Sequence, residues 1–317
     1  MSIPACGRYH HFDSPRVAFT LAFAVALGAS ALAFPTLAQQ PKPGDLSGDA
    51  SLTGIAVLNT DIDSGGSFRW DGFVAVGSID WQLTEALSVS PSLPYGYEHW
   101  RFSTPTALGP TVPWTNVHMP QVGLSFELYV ASDLSLFVSP QLEWDYESGA
   151  RASDAKSYGA AFGATKIFSP KLVLGFGAGV YRLIDETQVF PVVIVRWQID
   201  DQWQLRNSLQ SGPAGGPGVE IAYAFNDQWE LAAGGAYREY RFRLNDAGPV
   251  PSGIVENSGV PLFARLSTTL GKTGRLDFVA GVIVGGRLKV EDRNGSTIVS
   301  SDYKTSPLLG ITARLNF

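Results

Sequence analysis

Pro307-Leu-Leu-Gly-Ile-Thr-Ala-Arg-Leu-Asn-Phe317 is the stretch on which the fold turns. Pro307, Leu309, Ile311, Ala313, Leu315 and Phe317 make one apolar face. Leu308, Gly310, Thr312, Arg314 and Asn316 make the other, which is mostly polar. Side chains on a strand alternate between two faces, so this is a strand with one apolar side. A soluble protein has little use for a surface phenylalanine at its last position. A membrane-spanning barrel does: its outer face meets lipid and carries aromatics at the interface.

Working back from that strand, the same period of two recurs from about Ser51, and no stretch sustains a helical period. Two kinds of connection separate the segments. Tight turns fall at 84–86, 131–133, 169–171, 200–202, 226–228 and 271–274, each followed by a strand opening on Leu or Trp. Longer stretches rich in Gly, Pro, Ser and Asn fall at 60–68, 103–116, 147–156, 184–188, 211–217, 245–258 and 292–304. Six turns and seven loops predict fourteen strands with both ends on one side. The expected spans are 51–59, 69–83, 87–102, 117–130, 134–146, 157–168, 172–183, 189–199, 203–210, 218–225, 229–244, 259–270, 275–291 and 305–317. If the weak 203–225 hairpin is not one, the number is twelve. The expected fold is therefore all-β: a closed antiparallel transmembrane β-barrel with short periplasmic turns and longer extracellular loops.

A β-sandwich also alternates. Against it stand strands of ten residues or more and two aromatic belts. Trp81, Trp203 and Trp229 sit beside tight turns; Tyr95, Tyr97, Trp144, Tyr146 and Tyr158 sit near loops. A sheet in hydrocarbon cannot leave edges unpaired, so it has to close.

The other end of the chain points to export. Arg8, His10, His11 and Arg16 precede an uncharged run from Val17 to Phe34, and Thr36-Leu-Ala38 offers a cleavage site after Ala38. The competing reading is a membrane-anchoring helix. The expected organisation is a signal peptide over 1–38, a periplasmic lead-in over 39–50 and a barrel domain over 51–317. Cys6, the only cysteine, precedes the apolar run, so cleavage leaves no thiol for a disulfide, a metal or catalysis. Loss of Arg8, Arg16 and Asp13 moves the net charge from −6 to −7. An acidic chain is a poor partner for nucleic acid.

Asp80-Trp-Gln-Leu-Thr-Glu-Ala-Leu-Ser-Val-Ser-Pro-Ser-Leu-Pro-Tyr-Gly-Tyr97 resembles a strand–turn–strand unit of an uncharacterised Gram-negative outer-membrane β-barrel family, a domain of unknown function. So do Arg196-Trp-Gln-Ile-Asp-Asp-Gln-Trp-Gln-Leu205 with Gly212-Pro213, and Asn226-Asp-Gln-Trp-Glu-Leu231 leading to Tyr240-Arg-Phe-Arg-Leu244. The resemblance spans most of residues 50–317 and implies an outer-membrane address, with no catalytic residues. The chain end also resembles the signal read by barrel-assembly machinery, with Phe317 as its terminal aromatic. Expected partners are thus outer-membrane lipid, that machinery and small polar solutes.

Function is sought on the inward faces. Alternation gives acidic candidates first: Asp80, Glu127, Glu143 and Asp145. Later strands give Arg196, Arg206, Arg238, Arg265, Arg287 and Arg314, with Glu220, Glu230 and Asp277 among them. An acidic wall facing a basic wall orients polar solutes in a pore. The competing reading is a salt-bridge network that closes a narrow lumen. The expected function is a passive or weakly selective channel for small solutes; the alternatives are a closed barrel with a structural role and, more distantly, a lipid hydrolase at the rim. That last reading rests on His99 and His118, which flank the 103–116 loop, with Ser103 or Thr115. Rim histidines beside Tyr97 and Trp100 read more simply as interfacial polar groups. Gly212-Pro-Ala-Gly-Gly-Pro-Gly218 lacks the Lys-Ser/Thr ending and the following helix of a phosphate cradle. The acidic loop residues do not have calcium-loop spacing. No cofactor is expected.

Overall fold

The protein is described from a computed structural model, which covers residues 42–208 and 217–317. The proposed leader, its cleavage site and the Gly/Pro stretch at 212–216 lie outside the described residues. The strands are β1 (Leu46–Asp61), β2 (Ser67–Thr84), β3 (Leu87–Ser103), β4 (Asn116–Ala131), β5 (Leu134–Trp144), β6 (Tyr146–Glu147), β7 (Lys156–Ser169), β8 (Leu172–Leu183) and β9 (Glu186–Gln198). They continue with β10 (Trp203–Asn207), β11 (Gly218–Ala224), β12 (Trp229–Ala236), β13 (Arg238–Arg243), β14 (Ile254–Leu270), β15 (Gly274–Glu291), β16 (Thr297–Tyr303) and β17 (Ser306–Asn316). One 3-10 turn, Ala152–Ala155, interrupts them. Segments β5/β6, β12/β13 and β16/β17 are each one barrel strand broken by an irregularity, so the seventeen segments make fourteen strands.

Each strand pairs antiparallel with its sequence neighbour, and β17 pairs with β1 from Asp49↔Asn316 to Val57↔Leu308. The sheet therefore closes as a fourteen-stranded barrel, which removes the edges that lipid would leave unpaired. Phe317 ends the seam. Its N–H donates to the Gly48 carbonyl (3.0 Å), and its own carbonyl accepts from the Gly48 N–H (2.7 Å). The ring of Phe317 lies over Gly48: a Cβ there would lie 2.4 Å from it and would displace it.

The apolar faces point outward. Leu309, Ile311 and Leu315 are exposed, as are Leu136, Phe162, Phe176, Val193, Ile221 and Phe278 round the wall. Such a band has no place in water and suits hydrocarbon. Trp81, Trp203 and Trp229 face out at the turn end; Tyr95 and Tyr158 face out at the loop end.

Several boundaries differ from expectation. β1 begins at Leu46 and β14 at Ile254, because paired partners extend their ladders past the composition-poor ends. The expected loop at 184–188 shrinks to Ile184–Asp185, with Ile184 at φ 57°, as a two-residue hairpin demands. The twelve-strand alternative fails, since β10 and β11 pair over Trp203↔Tyr223 to Asn207↔Val219.

One strand leaves the cylinder. Among the described residues β11 covers β12 only as far as Gly218↔Ala236, and none of them pairs with β13 on that side. It stays on β14 from Arg238↔Gly259 to Arg243↔Ile254, and its free edge meets β6 in parallel at Arg243↔Tyr146. The Arg243 N–H donates to the Asp145 carbonyl at 2.9 Å. An exposed edge needs a partner or a cover. Here the partner lies across the lumen.

Candidate functional site

The lumen has two halves of different chemistry. At the turn end it is polar. Ser51, Thr53, Ser78, Gln82, Ser90, Ser92, Ser135 and Thr312 all face inward, and the Thr53 and Thr312 hydroxyls meet at 2.9 Å inside the seam. Most of the predicted charges lie here, on two different walls.

The basic wall is already neutral. Arg206 binds Glu220 (2.7 Å) and Glu230 (2.5 Å). Arg265 binds Glu220 (2.5 Å), Glu230 (3.2 Å) and Asp277 (3.1 Å). Arg275, which alternation had not singled out, completes the set through Glu230 (2.8 Å) and Asp277 (2.9 Å). Three guanidinium groups thus face three carboxylates on neighbouring strands, because the register sets Arg206 opposite Glu220 and Ser267 opposite both Glu230 and Asp277. Charges buried this deeply need such pairing. Arg196 faces in from β9 opposite Arg206. Arg314 faces in beside Asp49 at 3.5 Å.

The acidic wall is held differently. Asp80 accepts from the Ser90 hydroxyl (2.5 Å). Glu127 accepts from Ser135 (2.6 Å) and Tyr129 (3.2 Å). Glu143 accepts from the amides of Gln121 (2.8 Å) and Gln141 (3.2 Å). Asp145, further toward the loops, is buried with Oδ1 unpartnered. Neutral donors therefore solvate Asp80, Glu127 and Glu143.

Arg287 corrects the alternation. Gly285 (φ 60°) and Gly286 together oppose Gly259, since the β14–β15 register passes from Val260↔Val284 to Ser258↔Arg287. That bulge inserts one residue and swaps the faces beyond it. Leu288, expected outside, is fully buried in the lumen core. Arg287 instead lies on the exterior with Asp302 at 2.7 Å, both half-exposed.

At the loop end the lumen is apolar. Phe68, Trp70, Trp100, Trp114, Phe242 and Leu288 belong to one buried cluster. β13 stands inside the ring and shows a different face to each side. Arg238 and Tyr240 both donate to Glu98 of β3, at 2.5 and 2.6 Å, and the Arg238 guanidinium stacks 4.9 Å from the Trp70 ring centre. Phe242 meets Trp114 edge-on, with ring centres 5.7 Å apart. On the opposite face, Glu239 accepts from Gln188 (2.7 Å), and Arg241 donates to Glu186 (2.6 Å), both on β9. Glu98 escaped the list of sequence candidates, although it lies in phase with Ser90, Ser92 and Trp100.

The histidines sit on the outer surface. His118 Nε2 lies 2.9 Å from Ser148 Oγ, and its Nδ1 lies 2.9 Å from the Tyr95 hydroxyl. His99 Nδ1 lies 2.7 Å from Asn116 Oδ1. The partners are not Ser103 or Thr115, and a tyrosine takes the position where a carboxylate would orient a catalytic histidine. The arrangement is an interfacial hydrogen-bond network. Among the described residues no group of three His, Cys, Asp or Glu is placed to hold a metal ion.

No protein of curated function matches the chain. Among solved structures, an outer membrane channel from Pseudomonas putida F1 is similar with a TM-score of 0.45 and 10% identity, over 87% of this chain and 97% of its own. The P. putida toluene transporter TodX gives 0.39 and 12%, over 87% and 91%. A Pseudomonas aeruginosa FadL homologue gives 0.37 and 12%, over 85% and 89%. The model of a domain of unknown function (DUF6268) matches residues 157–316, half of the chain, and the protein belongs to that family.

Proposed function

We propose that the protein is an exported outer-membrane barrel that passes small polar solutes, passively and with weak selectivity. The observation that supports it is the turn-end lumen, where inward serines, threonines and uncompensated carboxylates line one wall opposite a self-neutralised arginine cluster. An interior meant only to be filled has no need of so much polar surface. In this reading residues 1–38 are a cleaved leader, and the loops lie outside the cell. Purified protein in planar bilayers is expected to show discrete conductance steps. Silent membranes, together with intact liposomes that do not swell in small sugars, would exclude it.

A second reading, a closed structural barrel, is favoured by one observation: β13 bridges the lumen, and aromatics pack the loop end on its β3 side. Neither reading uses an enzyme active site or a cofactor.

Phe317 takes the role of assembly signal in this proposal, supported by its place at the seam and its outward exposure. A chain ending at Asn316 is expected to insert poorly into the outer membrane. Full insertion of that truncation, read by heat-dependent gel mobility, would remove the role.

A further inference from the structure

The outward face of β2 and β3 is a graded column of side chains. Read upward from the turn end, opposite pairs are Trp81 with Val89, Gly77 with Leu93, Ala75 with Tyr95, and Phe73 with Tyr97. Then the chemistry changes: Asp71 faces His99, and Arg69 faces Arg101. Arg69 and Trp81 lie at opposite ends of β2. A strand that rises about 3.3 Å per residue and tilts by about 45° sets Arg69 ~28 Å above Trp81, the height of the far interface.

The rows below the arginines suit a lipid. The Phe73 ring centre lies 5.9 Å from those of Tyr95 and Tyr97. The Tyr97 hydroxyl donates to Asn116 Oδ1 (2.8 Å), and His99 Nδ1 lies 2.7 Å from the same oxygen. A level of aromatic and hydrogen-bonding groups therefore separates the hydrocarbon face from the guanidinium pair.

Like charges directly opposite on neighbouring strands repel. Arg69 and Arg101 are both exposed, and Arg101 donates to Asp71. Among the described residues no hydrogen bond or ion pair forms at Arg69. Other outward cations have something to hold: Lys166 has Asp133 (3.1 Å), Arg287 has Asp302 (2.7 Å), and Lys156 lies over the Tyr158 ring. Two arginines in register at head-group height, one of them without a counter-ion, leave a place for a shared anion.

Resting on the outer-membrane reading above, we propose that Arg69 and Arg101 bind the phosphate of a phosphorylated, acylated sugar lipid of the outer leaflet. A phosphate monoester brings more than one negative charge and three acceptor oxygens, enough to bridge both guanidinium groups. Its sugar hydroxyls meet the level of His99 and Asn116, and its acyl chains run down over Phe73 and Leu93. A phosphodiester phospholipid brings a single charge and no sugar, so it is the weaker ligand.

The test offers the purified barrel, in detergent, an equimolar mixture of diphosphoryl lipid A and phosphatidylglycerol, and reads bound lipid by native mass spectrometry. Wild type is expected to retain lipid A in preference to phosphatidylglycerol. Arg69→Gln with Arg101→Gln is expected to lower the lipid A-bound fraction roughly fivefold, as the loss of two exposed charged contacts does. Lys166→Gln with Lys171→Gln removes the same charge near the turns and is expected to change nothing. Equal retention of the two lipids by wild type overturns the proposal, as does an unchanged bound fraction in the folded arginine variant or an equal loss in the lysine variant. If the arginine double variant fails to fold, Arg69→Gln alone decides, since it breaks no contact among the described residues. A wild type that does not insert into lipid vesicles as a heat-modifiable barrel fails differently, because it removes the outer-membrane reading itself.

Discussion

The loop-end and turn-end halves of the lumen solve one problem in opposite ways. Both lie inside a barrel whose outside is lipid-like, so neither has an apolar core by default. The loop end makes one, by folding β13 inward and packing Trp100, Trp114 and Phe242 about it. The turn end keeps polar side chains and balances its buried arginines carboxylate by carboxylate. The difference teaches that a barrel need not have one interior. A strand of the wall can itself become filling.

The comparison breaks most severely at Trp100. It is 1% exposed and donates its indole N–H to Glu98 at 2.9 Å. Trp100→Ala is expected to cost about 3–5 kcal/mol, as large-to-small core changes do. The loss would appear as a lower unfolding temperature in detergent, read by heat-dependent gel mobility. If the loop-end packing also obstructs flow, single-channel conductance rises in the same variant. An unchanged melting point would mean that the loop end is not a core.

Arg206 gives a smaller effect. It lies at the edge of its cluster, partly exposed, and Arg265 still holds Glu220 when it is removed. Arg206→Met is expected to cost about 1–3 kcal/mol, the penalty for carboxylates that lose one charged donor. Pairing it with Glu230→Gln should recover part of that loss. Equal losses in the single and double variants would show that the cluster is not held by mutual neutralisation.

The outer surface was legible because lipid imposes a simple rule. Leu309, Ile311 and Leu315 alternate cleanly, and so do Leu172, Leu174 and Phe176, since every second residue meets hydrocarbon whatever the neighbouring strand does. The acidic and basic walls were partly legible for the same reason. The pairing of Arg265 with Glu220, 45 residues away, was not, because it depends on the register of three strands. Arg287 was misread because one extra residue at Gly285 exchanges inside and outside, and composition does not mark a bulge. His118 was flagged, yet its partner Ser148 comes from a loop that periodicity cannot place.

The amino-acid sequence by itself determined a closed barrel of fourteen or twelve strands, most of its outward faces and the residue types of its lumen. These follow from local alternation and from turn chemistry, which act within a few residues. Only the tertiary structure decided that β13 crosses the lumen, that the arginines neutralise their own wall, and that Glu143 and Asp145 are left without a cation. Those outcomes depend on the registers of strands far apart in the chain, such as the meeting of β13 with β6.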